Sequence, residues 1–268
     1  MALSDFKYRI LRLLAANRRN NAGSYVAGGL ALNLSLGAPR LSHDIDIFHD
    51  STEALLESWR LDRETLESSG YAVKPLREYK TFIEATVTKD GGHTEIQWGA
   101  DSAYRFFPLV EDETAGFTLH PLDLATNKLA ALVGRTEPRD WIDVITSIRE
   151  IQPMLYLVSA ACGKDPGFSP PSMLEYVARR RYTQVELDDK IMPKGVYDAA
   201  SLCRFWRETI EKTREALPLL PPEEAGKAVL DKAGRPFKGA PRQLPEAIAA
   251  GDVVFHEGRI CGAWPRVL

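Results

Sequence analysis

At 268 residues and a formal net charge of −3, the chain has room for one large core or two modest ones and carries no global pull toward nucleic acid. No apolar run approaches the roughly 18 residues of a membrane span. The opening MALSDFKYRI puts an acid and a lysine where a secretory signal needs an unbroken apolar stretch. Three scattered cysteines, Cys162, Cys203 and Cys261, argue against a disulfide framework and fit a reducing cytosol.

Residues 5–20 read as an amphipathic helix, with Phe6, Ile10, Leu13 and Leu14 on one face and basic residues elsewhere. A short strand over 25–27 runs into Gly28-Gly29, and 30–36 reads as a helix closed by Gly37. Residues 44–48 form a second strand, and 51–69 a helix opening on Ser51 and ending at Gly70. Two β-rich runs, 80–88 and 93–98, flank a hairpin turn at Asp90-Gly91-Gly92. This order predicts a small mixed sheet with helices, an α+β (mixed α/β) domain over 1–118. From His120-Pro121-Leu122-Asp123 the texture is helical, with segments at 121–134, 138–151, 171–181 and 198–216, giving a helical domain over 119–217. The remainder, 218–268, reads as a Pro/Gly-rich loop over 218–245 and a hairpin over 253–264 turning at Glu257-Gly258.

The chemistry concentrates in YVAGGLALNLSLGAPRLSHDIDIF, residues 25–48. In a strand, residues i and i+2 share a face, so Asp44 and Asp46 converge while Ile45 and Ile47 face away. Two adjacent carboxylates repel unless a cation lies between them, and hard oxygen ligands suit Mg²⁺. The Gly28-Gly29 pair ahead of a helix lets backbone N–H groups approach a phosphate closely, where the helix terminus favours negative charge. Taken alone such a pair is more often a tight turn; its weight comes from Asp44 lying fifteen residues after Gly29. Two-metal chemistry needs a third carboxylate. The candidate is Glu95 in GGHTEIQW, with Glu84 in the preceding strand as its rival.

A second constellation lies in LDLATNKLAALVGRTEPRDWIDVIT, residues 122–146. Lys128 sits within an apolar helix face, where it either snorkels to solvent or meets an anionic partner such as a triphosphate. Asp140 and Asp143 share a face of the next helix. Taken alone, Arg139 and Asp143 read as a surface pair contributing a few tenths of a kcal/mol. His43 and His49 flank the aspartates but suit Mg²⁺ poorly, and read as helix-capping or surface residues. Arg179-Arg180-Arg181 reads as a solvated helix end.

The series GG…LSHDIDIF, HTEIQW and DLATNKLAAL…RTEPRDWIDV, spread over about residues 25–150, resembles the AbiEii/AbiGii toxin-type nucleotidyltransferases of the DNA polymerase β-like superfamily. The resemblance implies a minimal nucleotidyltransferase fold followed by a helical C-terminal region. It also implies Mg²⁺ and a nucleoside triphosphate as substrate. By position, Gly28 and Gly29 would hold phosphate, and Asp44, Asp46 and Glu95 would hold metal. Lys128 would contact the nucleotide, and Asp140, with Asp143 behind it, would be the later motif aspartate. Two departures stand out: Leu30 replaces a hydroxyl residue common after the family's glycine, and the third acid is Glu where Asp is usual. The implied acceptor is a hydroxyl of tRNA, protein or a small molecule, and the implied partner a cognate antitoxin. The alternatives are a nucleotide-binding module without catalysis, or an interaction protein of the same fold.

Overall fold

The computed structural model describes residues 3–20, 23–37, 40–42 and 44–265; His43 lies outside them. The chain divides into two compact units, 1–104 with 108–120, and 105–107 with 121–268.

The first unit runs α1 (Asp5–Asn20), β1 (Ser24–Val26), α2 (Gly28–Leu36), β2 (Asp44–His49), α3 (Thr52–Ser68), β3 (Ala72–Tyr79), β4 (Phe82–Lys89) and β5 (Gly92–Ala100). The two-residue β6 (Tyr104–Arg105) straddles the boundary, and β7 (Val110–Asp112) and β8 (Gly116–Thr118) complete the unit. Seven strands form one sheet in the order β3-β4-β5-β2-β1-β8-β7. It is mixed, because β2 runs parallel to β5 and antiparallel to β1.

Alternation dictates which face is buried. Ile45 and Ile47 of β2, Ile96 and Trp98 of β5, and Ile83, Ala85 and Val87 of β4 are all buried. So are Ile10, Leu11 and Leu14 of α1 and Leu55, Trp59 and Leu66 of α3, the helices that pack on this sheet. One ion pair is sealed into that layer. Arg18 donates to Asp62 at 2.8 Å, and the Trp98 indole N–H donates to the same Asp62 oxygen at 2.9 Å. α2 ends where Gly37 takes a left-handed φ of 62°, and Ser51 caps α3 by accepting from the Ala54 N–H.

Several expectations are corrected here. The hairpin between β4 and β5 turns on Asp90 and Gly91 alone, with φ of 50° and 79°, and Gly92 already pairs with Lys89. The sequence pattern missed β3 because this edge strand is largely exposed on both faces and carries Pro75, next to a register shift. His49 is not a surface residue. It is fully buried, its ring contacting Ser24 Oγ and the Gly99 carbonyl at 3.2 Å each.

The second unit contains α4 (Pro121–Gly134), α5 (Pro138–Glu150), α6 (Met154–Cys162), α7 (Pro170–Ala178), α8 (Gln184–Lys190) and α9 (Ala199–Ala216). Beyond them come β9 (Ala228–Asp231), α10 (Leu244–Ala249), β10 (Val253–His256) and β11 (Arg259–Ile260). Residues 105–107 join this unit because the buried Asp123 carboxylate accepts from the N–H groups of Phe106 and Phe107 at 2.9 and 3.0 Å, while Lys164 neutralises it at 2.8 Å. α6 escapes a periodicity reading because every one of its residues is buried, so no polar face marks it.

The Pro/Gly-rich stretch is more than a loop. It supplies β9, whose Val229 packs with Leu155, Tyr156, Ala216, Leu220 and Leu244 in one cluster. The expected tail hairpin does not form, because β10 pairs antiparallel with β9. Arg180 is not a solvated helix end either: it donates to the Leu132 and Val133 carbonyls at 3.0 and 2.9 Å, capping α4.

Candidate functional site

The sheet face opposite the helices carries the carboxylates. Parallel pairing sets Asp44 against Glu95 and Asp46 against Gln97, and residues in register on neighbouring strands share a face. The next strand continues the rows, with Thr86 opposite Glu95 and Glu84 opposite Gln97. Asp44, Asp46 and Glu95 therefore lie on one face of adjacent strands, and Glu84 lies one strand further out. Glu84 is also engaged: Gln97 donates to it at 3.1 Å and Arg77 stands 3.4 Å away.

Gly28 meets this row from β1. The Ala27 N–H donates to the Asp46 backbone carbonyl at 3.1 Å, which places the start of α2 beside the aspartate. Gly28 takes a φ of 66°, and a Cβ there would overlap Asp46 Oδ2 and lie 2.9 Å from its Cγ. Only glycine satisfies both the backbone and the space. Ala27 offers no side-chain cap to the first turn of α2. Leu30 is buried in the core, so the hydroxyl missing after Gly29 is replaced by a packing residue, and phosphate recognition here would rest on backbone N–H groups.

The donor set tests the metal expectation. Asp44 and Asp46 offer hard oxygens from one face of one strand, as Mg²⁺ prefers. Among the described residues, no group of three His, Cys, Asp or Glu is gathered as a ready-made metal cage. The arrangement fits a two-carboxylate clamp, with Glu95 next in register and the remaining coordination left to water or phosphate oxygens. His49 points to the opposite face from Asp44 and Asp46, since strand neighbours alternate. Its burial pushes its pKa down to about 4, so it is neutral at physiological pH.

In the helical unit, Lys128 neither snorkels nor stands alone. Its ammonium lies 3.0 Å from Asp140 Oδ1 and 2.9 Å from Asp143 Oδ2, with its side chain 11% exposed. Arg135 adds a second cation to Asp140, at 2.7 and 3.2 Å. Burial acts to raise the Asp140 pKa, but Lys128 and Arg135 outweigh it and hold the carboxyl below the usual range. Asp143 is not a surface residue, since it is buried against Lys128. Sequence reasoning read Lys128, Asp140 and Asp143 within one stretch but neither their mutual contacts nor the part of Arg135.

Comparison with known proteins places this geometry. The family described as nucleotidyl transferase AbiEii toxin, type IV toxin–antitoxin system, matches residues 12–232. No curated protein matches in sequence. Among solved structures, JHP933 from Helicobacter pylori aligns with a TM-score of 0.52 at 15% identity, covering 81% of this chain and 95% of its own. MenT4, a nucleotidyltransferase toxin from Mycobacterium tuberculosis, aligns with a TM-score of 0.47 at 17% identity, covering 91% and 90%. The mixed sheet with its helices is similar to the fold of JHP933. Among the described residues, no helix is long and apolar enough to cross a membrane.

Proposed function

The chain belongs to the AbiEii nucleotidyltransferase toxin family, and from that premise we propose that it is a cytoplasmic Mg²⁺-dependent enzyme moving a nucleoside monophosphate from a nucleoside triphosphate to an acceptor hydroxyl. The observation that carries this reading is the fit between Gly28 and Asp46. A glycine that opens a helix lies against one carboxylate of a same-face pair, so a phosphate binder and a cation binder are built into one contact.

In this reading Asp44 and Asp46 hold Mg²⁺, with Glu95 as the third carboxylate. The ion would supply charge stabilisation to the phosphoryl oxygens and lower the pKa of an attacking hydroxyl. Gly28 and Gly29 bind the triphosphate through backbone N–H groups, leaving no side-chain reorganisation for the reaction. The family resemblance assigns Lys128 to the nucleotide, a role in which a phosphate oxygen would replace one of its two carboxylates while Asp140 holds the ammonium in place. The acceptor is a hydroxyl of tRNA, a protein or a small molecule, and a cognate antitoxin is the partner the family supplies.

A second reading has its own observation. Leu30 is committed to the core and Lys128 to two aspartates, as expected of a nucleotide-binding module that has lost catalysis. Incubation with each labelled nucleoside triphosphate, Mg²⁺ and total cellular RNA or protein separates the two. Label transferred to a macromolecule or small acceptor supports the enzyme; nucleotide retained without transfer supports the binding module.

A further inference from the structure

The helical unit holds a cavity that the proposed reaction does not use. It measures about 240 Å³ and is lined by Val133 and Gly134 at the end of α4, Asp165 and Phe168 in the loop before α7, and Met173 and Tyr176 of α7. Phe168 and Tyr176 meet edge to face, with ring centroids 5.4 Å apart at 90°. A Cβ on Gly134 would meet no atom within 4 Å, so the space beside the helix end is open. The Gly134 φ lies outside the left-handed region, so a larger residue could enter that space without backbone strain. Asp165 brings the one charged side chain to this lining. Its carboxylate accepts from the Gly167 N–H at 3.0 Å and has no ionic partner among the described residues. Neighbouring cations are committed elsewhere: Lys164 to Asp123 and Asn127, and Arg180 to the Leu132 and Val133 carbonyls.

We propose that this cavity is an anchor for one arginine side chain of a partner polypeptide. Size sets the class of occupant. Pockets for drug-sized ligands hold about 300–1,000 Å³, so this one suits a single side chain rather than a nucleotide. Charge sets its sign. A carboxylate without an ionic partner, beside apolar and aromatic walls, favours a cation on an apolar stem over an anion or a small hydrated ion. Arginine meets that description best, because its guanidinium pairs with a carboxylate through two N–H groups, stacks on aromatic rings and is more weakly hydrated than an ammonium. Tyr176 already draws one: the Arg179 guanidinium stands 6.0 Å from its ring centroid. Tyr176 is also half exposed, which leaves the mouth of the cavity accessible to a partner. Arginine side chains seated in packed pockets are common anchors of protein interfaces.

Methyl NMR of the full chain, labelled at the methionine ε-carbons, reads the cavity directly, because Met173 lines it and Met154, buried in α6, serves as a control. The probes are an acetylated, amidated Gly-Arg-Gly tripeptide, the same peptide with citrulline as the neutral isostere of arginine, and free propylguanidine. The arginine peptide should move the Met173 methyl saturably and leave Met154 unmoved. It should bind about two- to fivefold tighter than the citrulline peptide, the range an exposed ion pair supplies. Asp165→Asn should erase that preference. Gly134→Leu should fill the cavity and abolish the shift while the melting temperature stays near wild type. A Met173 methyl that the arginine peptide does not move, equal binding of the citrulline peptide, or a shift retained in Gly134→Leu overturns the anchor. Binding of propylguanidine without binding of the arginine peptide assigns the cavity to a free small cation and overturns the partner.

Discussion

The sheet and the helical unit each gather carboxylates, and they do so in opposite ways. On the sheet, backbone register places Asp44, Asp46 and Glu95, and Gly28 leaves room for the Asp46 carboxylate. In the helical unit, the side chains place one another: two cations, Lys128 and Arg135, are closed on two buried carboxylates, Asp140 and Asp143. A register-built cluster can take in a cation without dismantling itself. In the helical unit any ligand must compete with a partner already in place. In the proposed function the first takes a metal, whereas the second contributes stability unless an anion displaces a carboxylate.

Removing charge from the sheet cluster gives the sharpest contrast. Asp44→Asn or Asp46→Asn should abolish nucleotidyl transfer, since losing a metal ligand removes several kcal/mol of charge stabilisation, about a thousandfold or more in rate. Thermal melting should stay near wild type, because Asp44 and Asp46 are only partly buried and their strand is anchored by Ile45 and Ile47. Transfer at wild-type rate by the double variant would remove the catalytic role.

The quartet should respond in the reverse order. Lys128→Ala leaves Asp140 and Asp143 buried with one cation fewer, and breaking a buried pair by deleting one partner costs about 3–5 kcal/mol. Chemical denaturation should show that loss in the midpoint. Lys128→Met combined with Asp143→Asn should recover part of it, because the Arg135–Asp140 pair survives. If Lys128 also serves the triphosphate, nucleotide titration of the folded variant should show a weaker Kd. A large stability loss with unchanged nucleotide affinity would assign the quartet to structure alone.

These two clusters also show what a sequence can and cannot disclose. Asp44 and Asp46 were legible because the alternation of DIDIF fixes two faces within five residues. Gly28 was legible only as a candidate, since its contact with Asp46 depends on how β1 and β2 pair. The partners of Lys128 lie on another helix, and no local period states that α4 and α5 face each other. Elements were lost for matching reasons: β3 has too little burial to alternate and α6 too much.

The buried side of the same sheet yields a pH test. His49 has a folded pKa of about 4 against an ordinary value of 6.5, so between those values the unfolded chain binds more protons than the folded one. Its contribution is full above pH 6.5 and declines as pH falls toward 4, by about 3 kcal/mol in all. Denaturation midpoints across that window should slope downward toward acid in the wild type, and His49→Gln should flatten the slope. An unchanged slope would assign the acid sensitivity to other groups. Asp140 acts in a lower window. Its depressed pKa contributes stability above the unfolded carboxyl value that is lost only as pH falls through the folded one.

The smallest expected effect separates two neighbours on the open face. Glu95 is in register with Asp44 on the adjacent strand, whereas Glu84 lies one strand beyond and is held by Gln97 and Arg77. A carboxylate so engaged would have to release two partners before turning to a metal, while the exposed Glu95 gives up mainly hydration. Glu95→Gln should therefore lower transfer by about ten- to a hundredfold, the range of a lost outer ligand contact rather than of a lost site. Glu84→Gln should lower it only slightly. Steady-state rates at saturating metal check the order. If the order is reversed, the third ligand comes from β4 and the Arg77–Glu84–Gln97 contacts are part of the site. Equal, small losses would leave Asp44 and Asp46 as the whole protein contribution, with water and phosphate oxygens completing the Mg²⁺ shell.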